Sequence, residues 1–149
     1  MKIQFVCTGN TFRSRIAEAY LKSKNVPNLI ISSSGIKAEE NINGPVCDYT
    51  VSILEKNNLL SFLSKKWTQA SKEGIEKQDL VIFLDNTHYE FCCNYLHCNI
   101  SNYEIWYIKD MPEEIRKIPR DENKVRVFAE NNFKEIKEKI DLLLYIKKF

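Results

Sequence analysis

Cys7, Arg13 and Ser14 stand in the spacing C-x5-R-S, with Gly9 among the residues between them. Such a stretch can curl around one point with its backbone N–H groups turned inward. Gly9 is the residue expected to take a backbone conformation that a side chain would forbid. Inward N–H groups suit a tetrahedral dianion such as phosphate, all the more if a helix begins where the loop ends. The Arg13 guanidinium can clamp two oxygens of that anion. Cys7, at the base, feels the same positive field, which favours the nucleophilic thiolate. Ser14 can donate to the sulfur and stabilise it as a leaving group. The chemistry implied is attack of sulfur on phosphorus.

The flanking residues can hold such a loop. Ile3, Phe5 and Val6 make residues 2–7 an apolar strand, buried on both faces, that delivers Cys7 at its end. From Arg13 to about Lys24, Ile16, Ala17, Tyr20 and Leu21 recur at helical spacing, and Asn25 and Pro27 end the run.

The segment VCTGNTFRSRIAEAYL resembles the opening VC-x-GN-x-CRS-P-x-AEA of low-molecular-weight protein tyrosine phosphatases and their arsenate-reductase relatives. The match is close from Val6 to Ala19 and loose elsewhere. It implies that Cys7 is the nucleophile and that Arg13 binds the transferring phosphoryl group. Thr8, Gly9, Asn10, Thr11, Phe12 and Ser14 would then form the phosphate pocket, and Asn10 and Ser33 would hold the loop in shape. Two residues depart from the pattern. Phe12 replaces a cysteine that can form a disulfide with the nucleophile, so an oxidised Cys7 has no resolving thiol inside the loop. Arg15 replaces a proline; it reads either as a solvated arginine or as added positive charge near the mouth. Thr8 and Thr11 are smaller and more polar than the aliphatic residues usual at those positions.

Cleaving a phosphate ester by cysteine attack needs a proton on the leaving oxygen. The family supplies it from an Asp-Pro-Tyr loop before the last helix, and this chain has no Asp-Pro. Asp110, directly after the last strand, is the leading candidate, with Asp121 and Glu113 as rivals. Met111 and Pro112 stand where aromatic residues would wall a phosphotyrosine ring, which implies a shallower pocket.

The rest of the chain alternates strands and helices. Leu29, Ile30 and Ile31 read as a second strand closing into the polar run Ser32–Gly35, which completes a βαβ unit. Pro45 suits the first turn of a helix carrying Val46, Tyr49, Thr50, Ile53 and Leu54, stopped by Asn57–Asn58. Residues 79–85 are the clearest interior strand, with Asp85 as the cap of a helix over 87–96. His88 and His97, the only histidines, fit no metal pair and read as surface residues. Residues 104–108 read as the last strand, with Trp106 in the core. The final helix, about 124–147, has a stripe of Phe133, Ile136, Ile140, Leu143 and Leu144. This pattern predicts an α/β fold: a three-layer α/β/α sandwich with a central four-stranded, mostly parallel sheet, in one domain over residues 1–149.

Composition narrows the function. A net charge of +2 argues against nucleic acid and membrane partners, and no apolar run is long enough to span a bilayer. Five cysteines without zinc-like pairing point to free thiols and the cytoplasm. Cys47 reads as a structural thiol. The expected activity is a phosphomonoesterase, foremost a protein tyrosine phosphatase. The expected partners are a phosphotyrosine protein or small aryl phosphate, with phosphate or sulfate in the loop. No metal or cofactor is expected, and the chain is expected to be a monomer or weak dimer. Two alternatives remain: a thiol-coupled arsenate reductase using Cys92 or Cys98, and a phosphate-binding module without turnover.

Overall fold

The computed structural model describes residues 1–149. Four parallel strands form one sheet in the order β2-β1-β3-β4, with β1 Lys2–Cys7, β2 Ile30–Gly35, β3 Leu80–Phe83 and β4 Tyr103–Ile105. Alternation along the strands divides the core. Ile3, Phe5, Leu80, Ile82 and Leu84 face a large apolar cluster shared with α1 (Arg13–Ser23), α2 (Asp48–Lys56) and α6 (Glu122–Lys147). Val6, Val81 and Phe83 face a smaller cluster with Ile75 of α3 (Lys72–Glu76) and the buried Cys92 and Cys98. The expected three-layer sandwich is therefore present, with the sheet parallel throughout.

Several local expectations need correction. The second strand does not end at Ile31: Ser32, Ser33 and Ser34 lie within β2. A strand tolerates them because their hydroxyls are satisfied, Ser33 by Glu18 and Ser32 and Ser34 by Gln4. Pro45 lies outside the helix it was expected to open, since Cys47 is the cap of α2. The helix predicted over 87–96 runs as α4 (Asn86–Glu90) and then widens into a π-helical turn, Phe91–Tyr95. Asp85 occupies the cap position of α4, but its carboxylate accepts from the Thr87 hydroxyl rather than from a backbone N–H. β4 is shorter than 104–108, although Trp106 and Ile108 still donate to β3-side carbonyls. A short helix, α5 (Glu113–Arg116), follows it. Trp106 packs on Phe5 in the core, as expected.

Candidate active site

Cys7 leaves β1 at the C-terminal edge of the sheet, and residues 8–12 loop back to the start of α1. The backbone N–H groups of Thr8, Gly9, Thr11, Phe12, Arg13 and Ser14 find no acceptor within the protein. Together with the N-terminus of α1 they form a concave set of donors. The left-handed residue is Asn10 (φ 54°), not Gly9. Asparagine tolerates this conformation, and here its side chain is locked. Its Nδ2 donates to Ser14 Oγ (2.7 Å) and Ser33 Oγ (2.8 Å), and its Oδ1 accepts from the Thr68 N–H (2.8 Å). Ser33 in turn donates to Glu18. Two groups converge on the Cys7 sulfur: Ser14 Oγ at 2.9 Å and the Asn10 N–H at 3.3 Å. Because Asn10 already donates to Ser14, the serine hydroxyl is free to donate to sulfur.

Arg13 is almost fully buried. It donates to the Ile108 carbonyl (2.8 Å) and to Thr8 Oγ1 (3.3 Å), and lies 3.6 Å from Asp110. Asp110 is exposed, and the same carboxylate oxygen that faces Arg13 lies 3.8 Å from Arg116. These groups border a cavity of about 230 Å³ lined by Cys7, Thr8, Gly9, Thr11, Phe12 and Arg13 at its base. Lys37, Glu40, Asn41, Ile42, Asn43, Tyr49, Asp110 and Arg116 line the rest. The Phe12 ring meets Tyr49 edge-on at 4.8 Å. A phosphoryl group held by the loop amides would place its ester oxygen between Cys7 and the outer wall that carries Asp110.

With this geometry in view, the chain matches, over residues 2–144, the family described as low molecular weight phosphotyrosine protein phosphatase. The chain belongs to that family. Among curated relatives, it is 34% identical over 119 residues to the low molecular weight protein-tyrosine-phosphatase PtpB of Staphylococcus aureus, covering 77% of this chain and 79% of that one. It is also 38% identical over 92 residues to the protein-arginine-phosphatase of Bacillus subtilis, covering 59% and 58%. The solved structure of Vibrio vulnificus Wzb in complex with benzylphosphonate shares the fold. It has a TM-score of 0.75 and 23% identity, and the match covers 99% of this chain and 98% of that one.

In this phosphatase fold, Cys7, Thr8, Gly9, Thr11, Phe12, Arg13 and Asp110 come together around one cavity. Asn10, Ser14 and Ser33 brace it from behind. The rival acids lie elsewhere. Asp121 caps α6, accepting from the N–H groups of Asn123 and Lys124, and Glu113 is an exposed first-turn residue of α5. Met111 is buried in the main core instead of walling the pocket. The aromatic wall comes from Tyr49 of α2, which helical spacing had marked only as core. Arg15 is neither solvated nor at the mouth: it is buried behind the loop.

His88 is likewise buried, contrary to the surface reading. Its Nε2 lies 2.9 Å from Thr8 Oγ1, and its Nδ1 has no partner. A bare buried acceptor is tolerated better than an orphaned buried N–H, so the ring proton sits on Nε2 and is donated to Thr8. Burial first, and then the Arg13 charge, push the His88 pKa down to about 3. Thr8 thus accepts from His88 and Arg13, leaving its own proton free for the cavity. Gly35, also missed, closes β2 against the loop, where a Cβ would lie 2.6 Å from the Asn10 nitrogen and the Thr8 oxygen. A glycine after three serines carries no signal of that approach in sequence.

Proposed function

We propose that the whole chain is one phosphatase domain that hydrolyses phosphomonoesters through a phosphocysteine at Cys7. The observation that carries this reading is the convergence of two donors on the Cys7 sulfur beneath a cradle of free amides, with Arg13 beside it at the base and Asp110 in the wall. The thiolate attacks phosphorus in line. The amides of residues 8–13 and the Arg13 guanidinium hold the equatorial oxygens as charge spreads over them. Asp110 gives its proton to the leaving oxygen. It then takes a proton from water as that water attacks the phosphocysteine, releasing inorganic phosphate and the Cys7 thiolate. Ser14 supports the departing sulfur.

The favoured substrate is the phosphotyrosine of a protein, or a small aryl phosphate, received against the Tyr49 wall of the cavity. The likeness to PtpB over more than three quarters of each chain supports this. A second reading, phosphoarginine, is favoured by the arginine-phosphatase relative and by the polar wall of Thr8, Thr11 and Asn43, where Asp110 and Glu40 could face a guanidinium. The arsenate-reductase alternative loses support, because Cys92 and Cys98 pack in the small cluster on the sheet face opposite Cys7. The five free thiols support a reducing, cytoplasmic setting, and no helix is long and apolar enough to cross a membrane. We read the chain as a monomer or weak dimer.

Steady-state turnover of para-nitrophenyl phosphate, a phosphotyrosine peptide and a phosphoarginine peptide tests the reading. Wild type should turn over the first and one of the peptides, and Cys7→Ser should turn over none. Asp110→Asn should lose much more on the phosphotyrosine peptide than on para-nitrophenyl phosphate, whose leaving group needs less help. An inert wild type that still binds phosphate would mean a binding module.

A further inference from the structure

Arg15 is among the most deeply buried side chains of the protein, and no catalytic step described above uses it. It sits in the first turn of α1, directly behind the loop. One terminal nitrogen donates to the Asn10 carbonyl (3.0 Å) and the Pro45 carbonyl (3.2 Å), and the other to the Ser64 carbonyl. The Nε has no partner. None of its hydrogen-bond partners is a carboxylate. The neighbouring acid, Glu18, is occupied by Lys22 at 2.5 Å, by Ser33 and by Ser64 at 3.3 Å. The guanidinium is thus buried with only neutral carbonyls as hydrogen-bond partners, and the nearest acid shares its charge with Lys22. Burial pushes its pKa down, while the charges of Glu18 and Cys7 push it back up, so Arg15 and the loop feel one another.

The backbone adds a second link. A trans peptide points its C=O and N–H in opposite directions. Arg15 draws the Asn10 carbonyl to the rear, so the next amide, Thr11 N–H, is turned the other way, and it has no acceptor within the protein. We propose that Arg15 is a positioning residue of the phosphate cradle: it aims the Thr11 amide and lends its positive charge to the bound dianion. This rests on the reading of residues 7–14 as a phosphoryl site.

The test is calorimetric binding of inorganic phosphate to wild type, Arg15→Gln and Arg15→Lys, with circular dichroism to confirm folding. Gln keeps a neutral polar side chain, loses the charge and falls short of the Asn10 carbonyl; Lys keeps the charge. Phosphate affinity should fall about tenfold in Arg15→Gln, ~1.4 kcal/mol, and stay within about threefold of wild type in Arg15→Lys. Affinity within twofold of wild type in Arg15→Gln, or equal losses in both variants, overturns the proposal. Should a variant not fold, wild type decides by nitrogen-15 NMR. A phosphate titration that shifts the Arg15 Nε–H signal supports the role, and one that moves only Arg13 signals overturns it. If wild type binds no phosphate, the phosphoryl-site reading itself fails and takes this role with it.

Discussion

The hydrogen bonds around Cys7 run in one direction because they begin at a carboxylate. Glu18, paired with Lys22, accepts the Ser33 hydroxyl proton. The Ser33 oxygen then accepts from Asn10, whose other amide hydrogen goes to Ser14, which passes its own proton to sulfur. Removing the last donor should cost a charge-assisted bond, ~1.5–3 kcal/mol. Ser14→Ala should therefore lower kcat by roughly 10- to 100-fold, read in single-turnover phosphocysteine breakdown, with the fold intact by circular dichroism. His88 makes a separate prediction about pH. Its pKa is about 3 in the folded chain, against roughly 6.5 when unfolded. Below the unfolded value the unfolded state binds the extra proton. The stability that neutral His88 contributes is thus full above about pH 6.5 and is lost as pH falls toward 3. Arg13 and Asp85 are the charged groups it feels. Wild type should lose up to ~1.4 kcal/mol per pH unit relative to His88→Gln between about pH 6 and 4, measured by urea unfolding. Parallel pH curves for the two proteins would sink the assignment.

At the scale of elements, two aspartates on neighbouring segments separate cleanly. Asp121 is an N-cap, so Asp121→Ala should cost about 1 kcal/mol of unfolding free energy and leave kcat within twofold of wild type. Asp110→Asn should do the reverse. Chemical denaturation and peptide turnover, run on both variants, check the pair. The C-terminal end of β2 makes a sharper case. An alanine at Gly35 would meet backbone atoms of the loop at 2.6 Å, atoms that cannot swing aside as a side-chain tip can. Gly35→Ala should weaken phosphate binding at least about tenfold, seen by calorimetry. These elements also show what sequence could and could not reveal. β1, the Cys7–Ser14 spacing and α1 are legible because the proposed nucleophile, the proposed anion clamp and an amphipathic period lie next to one another in the chain. Asp110 is legible from the apolar run before it, which continues the sheet's hydrogen bonding through Trp106 and Ile108 although β4 itself ends at Ile105. His88, Arg15, Gly35 and Tyr49 are not, since each acquires its role from a neighbour that only the folded sheet supplies. A histidine on a short helix looks like any surface histidine until α4 turns it against Thr8.

For the whole molecule, the loop is where distant parts of the chain meet, so ligand and fold should be strongly linked. Phosphate at a hundred times its dissociation constant should add about 2.7 kcal/mol to stability and raise the unfolding midpoint by several degrees, seen in scanning calorimetry. Arg13→Met should remove most of that gain. The supports of the loop explain the linkage. Asn10 is held by Ser33 and Thr68, Thr11 by Cys47 and Thr50, Thr8 by His88, and Arg13 by Ile108. Four of the eight residues from Cys7 to Ser14 thus lean on different distant stretches of chain. The signature is consequently not portable. A peptide of the first two dozen residues would contain the whole recognisable pattern and would hold no anion, and a graft of C-x5-R-S onto another strand–helix junction would inherit the letters without the scaffolding that gives them meaning.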